Sequence, residues 1–249
     1  MQRLHFDGWE EFRRFLEAPS ADRLPYVWRG QRDPDWPLAS SLERQLLASG
    51  DATDGGAGGS GDRKMRDQIQ QHLERFKQSA SGLRGPSPKD LSDEQWWALG
   101  RHHGLITPLL DWTEKPFVAL FFALRGAAPL AGWEPRGPVR TDRFAMYRLT
   151  HAPQLEDETL AVVRTPIDEL GRMQQQRGLF TWNRSHAHVD LITLLDDTGR
   201  GDLLTQATVS TAAIPEALRD LELHGIDHRQ LFPDMFGAAA HANVQLELH

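Results

Sequence analysis

The chain has 249 residues, 39% of them hydrophobic, which allows one substantial core and at most a small subdomain. It contains no cysteine, excluding disulfides, thiolate nucleophiles, Cys-ligated zinc and iron–sulfur centres and suiting a reducing cytoplasm or a fold that does not depend on redox compartment. A formal net charge of −7 excludes global attraction to phosphate, so nucleic-acid contact would need a local basic patch. The N-terminal segment has no apolar signal-peptide core, and no run approaches the roughly 18 apolar residues of a membrane span. Neither secretion nor membrane contact is expected.

Asp7, with Glu10 three residues on, predicts a first helix whose buried face is Trp9, Phe12 and Leu16. Residues 24–30 read as a strand in which Tyr26 and Trp28 face one way and Val27 and Arg29 the other. Arg29 thus ends a strand beside Gly30, a position suited to a cleft. A Pro-broken loop leads to a short helix from Ser40 or Ser41. Residues 49–62 have almost no side chain to bury and are expected to be a flexible Gly-rich insertion rather than a domain boundary. Met65, Ile69, Leu73 and Phe76 then mark one helix face.

Residues 99–124 concentrate the most chemistry. Ser92 and Gln95 have the spacing of a capping box, and Trp96, Leu99, Gly100 and His103 follow on one helix face. Gly104 is the expected left-handed stop. Leu105, Ile106, Leu109 and Leu110 suit a buried strand, interrupted by Pro108 and ended by Asp111, Trp112 and Thr113. Thr113 is a candidate N-cap for a core helix carrying Phe117, Leu120, Phe121 and Leu124.

Further strands are expected at residues 144–149, 178–182, 189–195 and 203–209. Ile214, Ala217, Leu218 and Leu221 form a helical face stopped at Gly225, and residues 231–234 open a last helix. Helices and strands mix without βαβ alternation, which favours α+β.

Three blocks resemble the FRG domain family, named for an aromatic-Arg-Gly motif. The first is Trp28-Arg29-Gly30, continued by Gln31, Trp36-Pro37-Leu38, Ser41-Leu42 and Arg44. The second runs from His102-His103-Gly104 through Thr107, Leu109-Leu110-Asp111-Trp112-Thr113 and Pro116 to Ala119-Leu120-Phe121-Phe122-Ala123. The third is Gln176, Gly178 and Phe180, followed by Gly225-Ile226 and Leu231-Phe232-Pro233-Asp234. Pro108 departs from the pattern, standing where an Arg is usual. The resemblance implies a single FRG domain over residues 1–249.

At a second level the arrangement is similar to the three-part plan of ADP-ribosyltransferases. That likeness implies an α+β domain with a mixed, split β-sheet flanked by helices, and NAD as co-substrate. Arg29 would contact the NAD phosphate or ribose, Thr113 the nicotinamide ribose, and Gln176 would stand near the usual catalytic Glu. With Asp111 added from the residues themselves, the candidate catalytic set is Arg29, Asp111, Thr113 and Gln176, and the candidate cofactor-binding set Arg29, Gln31, His103, Trp112 and Thr113. The role implied is a cytoplasmic bacterial toxin or anti-phage defence effector that modifies nucleic acid or protein, with a cognate antitoxin or immunity protein as partner.

Cleavage of the nicotinamide–ribose bond needs an anion anchor, ribose-orienting hydrogen bonds and a carboxylate against the developing positive charge. Gln176 cannot serve as a base, so the acid must be Asp111, Glu169 or Glu158, with Asp111 first beside the wall of Trp112. Bland readings stand alongside. Arg29 also suits an ion pair with Asp33, Asp35 or Asp111, Thr113 a plain helix cap, Asp111 and Trp112 a structural junction, and His103 a semi-buried histidine bonded to Asp111. His102 and His103 are adjacent, about 100° apart on a helix, and make a weak zinc pair. Arg29, Arg32, Arg44, Arg101, Arg172 and Arg177 lie near the three blocks and predict a phosphate-binding cleft. The alternatives to ADP-ribosyl transfer are a non-catalytic nucleotide- or nucleic-acid-sensing module and, third, metal-dependent hydrolysis through His102, His103 and Asp111.

Overall fold

Alternating side chains along seven strands build one mixed sheet in the computed structural model, which describes residues 1–19, 23–49, 60–82, 91–127, 141–164, 172–185 and 190–248. The strands are β1 (Gln2–Phe6), β2 (Tyr26–Gln31), β3 (Leu109–Thr113), β4 (Arg143–Thr150), β5 (Leu160–Val163), β6 (Gly178–Asn183) and β7 (Leu204–Ser210). Their spatial order is β1-β7-β4-β2-β3-β6-β5, with β1 parallel to β7 and the other pairs antiparallel. The α+β class and the mixed sheet agree with expectation. The sheet is continuous rather than split, but its middle is weak. β2 pairs with β4 along its full length, whereas β2 and β3 share the single register Trp28↔Thr113.

The period-2 pattern sorts the core. On one face Trp28, Phe144, Met146, Ala207 and Val209 pack against α1 (Trp9–Glu17), α5 (Pro116–Ala127), α8 (Ile214–Leu223), α9 (His228–Leu231) and α10 (Met235–Leu248). On the other, Val27, Ala145, Tyr147 and Leu149 pack against α7 (Leu191–Asp197). A third cluster joins α3 (Ser60–Ala80) and α4 (Asp93–His102) to β3 and β6 through Leu73, Trp97, Leu109 and Phe180. Among the described residues no helix is long and apolar enough to cross a membrane.

α5 is the central helix. Phe117, Leu120, Phe121 and Leu124 are buried at the expected spacing, and Val118, Ala119 and Ala123 are buried too. Ala119 and Ala123, one turn apart, lie against Gly30, where an added Cβ would stand 1.9 Å from the Ala119 carbonyl oxygen and 2.6 Å from the Ala123 nitrogen. The glycine of the Trp28-Arg29-Gly30 motif therefore sets how closely α5 approaches β2, which brings the helix to the strand that carries Arg29.

Several local expectations need correction. Residues 191–195, expected in a strand, belong to α7, because the Asp190 carboxylate accepts from Thr193 N at 3.0 Å and Leu191, Leu194 and Leu195 are buried at helical spacing. The N-cap of α1 is Gly8 rather than Asp7, whose carboxylate pairs with Arg143 at 3.0 Å. Thr113 is not the N-cap of α5. Its Oγ1 accepts from Lys115 N at 3.0 Å, closing a turn before the helix, while Val118 N and Ala119 N bond to the Lys115 carbonyl. Within the expected insertion at 49–62, Ser49 ends α2 (Ser41–Ser49) and residues 60–62 open α3; residues 50–59 lie outside the described residues. Glu169, one of the candidate acids, also lies outside them. Strands β1 and β5 were not foreseen.

Candidate functional site

Where β2 and β3 lose their ladder, a cavity of about 390 Å³ opens. Its lining draws on all three sequence blocks and their flanks: Arg29 and Gly30, then Arg101, His102, Asp111, Trp112 and Thr113, then Arg172, Gln176 and Phe232.

Arg29 bridges the gap. Its Nη1 donates to the Asp111 carbonyl oxygen at 2.9 Å and lies 3.9 Å from Asp111 Oδ2, while its buried Nε finds no acceptor among the described residues. Burial, partly offset by the Asp111 charge, pushes the Arg29 pKa down to about 10, so the group is still cationic at neutral pH. The Asp111 carboxylate is clasped by Arg101, with Nε to Oδ1 at 3.3 Å and Nη2 to Oδ2 at 2.7 Å. Burial alone would raise the Asp111 pKa, but the charge and hydrogen bonds of Arg101, then the charge of Arg29, hold it below the ordinary carboxylate value. Asp111 is thus an ionised, oriented anion and a poor proton acceptor.

Arg101 reaches Asp111 because the capping box starts α4 in the expected register. Ser92 Oγ accepts from Gln95 N at 3.3 Å, and Gln95 Oε1 accepts from Ser92 N at 3.0 Å. His102 enters the lining one position later. His103 is the exposed C-cap, preceding Gly104 at φ +86°, and does not line the cavity, which corrects its expected role. Gln31 is likewise outside. It is buried, and its Nε2 donates to the carbonyls of Asp33 at 3.3 Å and Trp36 at 2.9 Å, fixing the loop after β2.

Thr113 and Gln176 do meet, through a structural link. Thr113 Oγ1 donates to the Gln176 carbonyl oxygen at 2.5 Å, and Gln176 Nε2 donates to the Leu231 carbonyl oxygen at 3.0 Å. Trp112 contributes to the lining, but its side chain belongs to the core and Nε1 donates to Thr181 Oγ1 at 2.9 Å. The aromatic wall expected of Trp112 is supplied by Phe122, Phe180 and Phe232 instead.

Two more arginines complete the cleft. The Arg172 guanidinium forms an ion pair with Asp234 and lies 5.4 Å from the centre of the Phe232 ring, and that of Arg125 lies 5.2 Å from the same ring. Arg125 and Phe122 gave no separate signal in the sequence because they sit within a helix that reads as uniformly apolar core. Of the other expected cations, Arg44 adjoins the pair of Arg29 and Arg101, donating to the Ala39 carbonyl at 2.6 Å, Arg32 covers the Trp36 ring at 4.4 Å, and Arg177 is exposed beside the site at φ +47°. Among the described residues no cluster of three His, Asp or Glu side chains could hold a metal ion, and the Asp111 carboxylate is already occupied by Arg101. The cavity therefore offers four guanidinium groups, one ionised carboxylate and an aromatic wall.

Residues 24–130 of the chain match the family model described as the FRG domain. That span runs from the start of β2 to just beyond α5 and includes the blocks around Arg29 and Asp111; the sheet also uses β1, β4, β5, β6 and β7 from outside it. No curated protein and no solved structure matches the chain.

Proposed function

We propose, from the premise that this chain carries an FRG domain, that its cleft binds a phosphorylated nucleotide of the NAD class. The observation that carries this reading is the gathering of Arg29, Arg101, Arg125 and Arg172 around one cavity of a chain whose net charge is −7. A guanidinium's forked donors match phosphate oxygens, although Arg101 and Arg172 here also hold Asp111 and Asp234, and the phenylalanine wall suits a base or nicotinamide ring. The buried Nε of Arg29 is a donor for the same anion. Binding alone would make the chain a nucleotide-sensing module.

One further observation favours ADP-ribosyl transfer from NAD: the ionised Asp111 carboxylate at the cleft. In that reaction the bond from ribose C1′ to nicotinamide breaks, nicotinamide leaves with the electron pair, and an acceptor oxygen or nitrogen bonds C1′ and gives up a proton. Asp111 would stabilise the oxocarbenium-like state electrostatically, and solvent or the acceptor's own surroundings would take the proton. Thr113 and Gln176 act here as positioning residues, since their mutual contacts hold β3 against α6 (Arg172–Gln176) and α9. The toxin or defence role, with a cognate antitoxin or immunity protein, goes with this transfer reading.

Calorimetry with NAD, ADP-ribose and inorganic phosphate, alongside a nicotinamide-release assay, tests both readings. Binding weakened about tenfold or more by Arg125→Ala supports the nucleotide cleft, and nicotinamide release abolished by Asp111→Asn supports transfer. Absence of any binding at millimolar ligand overturns the proposal.

A further inference from the structure

We infer that the macromolecule engaged at this cleft is single-stranded nucleic acid, held by an arginine–phenylalanine ladder that leads from the cavity to the surface. The inference rests on the nucleotide-cleft reading and names the partner of the same site. Phe122 contacts Phe232 with ring centroids 6.2 Å apart, and Phe232 contacts Phe236 at 5.8 Å. The Arg125 guanidinium spans the outer two rings, 5.2 Å from Phe232 and 5.5 Å from Phe236.

The outer end of this ladder faces solvent. Phe236 is 52% exposed and the adjoining Met235 84%, whereas Phe232 at the cavity is 8% exposed. Phe236 contacts Phe232 and the Arg125 guanidinium and still leaves 52% of its surface exposed, so part of an apolar ring beside a cation stands in water. What fits an exposed ring next to a cation is a flat π-face joined to a phosphate, the repeating unit of an unpaired strand. Duplex bases are stacked on one another and cannot offer that face. Charge also favours this partner: Arg29, Arg101, Arg125 and Arg172 converge on the cavity, where Asp111 pairs with Arg101 and Asp234 with Arg172, and a polyanion adds phosphate oxygens to that cationic group as an apolar peptide does not.

Anisotropy of labelled single-stranded DNA, single-stranded RNA and duplex DNA of one length, titrated with the full chain, tests this. The expected result is tighter binding of one or both single strands than of duplex. Phe236→Ala should weaken that binding about tenfold while its salt dependence persists, since stacking is lost and phosphate contacts remain. NAD binding should be unchanged in Phe236→Ala, because that ring is not part of the cavity lining. Equal binding of duplex, or unchanged strand binding by Phe236→Ala, would overturn the inference. So would sedimentation showing that Phe236→Ala dissolves a self-association of the chain without affecting strand binding. The two readings fail separately: NAD binding without strand binding removes only the ladder, and Phe236-dependent strand binding without NAD binding removes only the nucleotide cleft.

Discussion

The Nη1 of Arg29 donates to the main-chain carbonyl of Asp111 at 2.9 Å, so a side chain continues the link between β2 and β3 beyond their one registered pair. The same guanidinium lies 3.9 Å from the Asp111 carboxylate, which Arg101 holds from the other residue block. Opening the sheet and charging the cleft are thus one arrangement, and its parts are separable by mutation.

Arg101→Gln removes the two hydrogen bonds to the Asp111 carboxylate and leaves that charge poorly compensated. Chemical denaturation should show a loss of about 1–3 kcal/mol, and the double variant with Asp111→Asn should recover part of it. Simple additivity of the two losses would count against the coupling.

Gly30→Ala should be among the most damaging small substitutions in the chain. The new methyl meets main-chain atoms of α5 at 1.9 and 2.6 Å, so helix and strand must separate, at a cost of roughly 3 kcal/mol. Gly8→Ala, with nothing within 4 Å of its Cβ, is the steric control and should cost no more than a weakened N-cap of α1, about 1 kcal/mol.

Thr113→Val keeps the shape of the side chain but removes the donor to the Gln176 carbonyl and the acceptor for Lys115 N. The expected loss is about 1–3 kcal/mol, largely restored by Thr113→Ser, and thermal denaturation of the two variants measures it. A neutral Thr113→Val would show that these contacts add nothing to stability.

Two groups set opposed pH dependences. Burial, opposed by hydrogen bonds from Ser40 and Asn183, pushes the Glu43 carboxyl up to about 7. A raised acid favours the folded state fully below its ordinary value near 4.5, and that contribution is lost as pH climbs through about 7. Burial, helped by the Arg125 charge, lowers His228 to about 4, so its contribution is present above 6.5 and is lost as pH falls through about 4. The two windows overlap and offset each other, so Glu43→Gln should leave the His228 rise uncompensated and gain roughly 1–3 kcal/mol relative to the native chain as pH climbs from 4.5 to 7. Stability curves across that range check both signs.

Sequence alone determined the features settled by neighbours a few positions apart. The capping box of Ser92 and Gln95, the left-handed Gly104, the alternation that sends Trp28 and Val27 to opposite faces, and the buried stripe of α5 all follow from local chemistry. Of the residues it grouped at a cleft, Arg29, Asp111, Thr113 and Gln176 line one cavity and His103 does not. The tertiary structure decided what depends on distant partners. His102 lines the cavity and His103 does not, because one residue turns a side chain about 100° around a helix and only the packing of α4 fixes which direction is inward. Residues 191–195 carry an apolar run short enough for strand or helix, and the Asp190 cap together with the core contacts of Leu191, Leu194 and Leu195 selects the helix. Arg125 and Phe232 stand far apart in sequence and meet at 5.2 Å because α5 and α9 pack on one face of the sheet. Whether a threonine hydroxyl or a glutamine amide is already engaged by another main-chain group likewise depends on that packing, so the chemical availability of Thr113 and Gln176 was set by the fold.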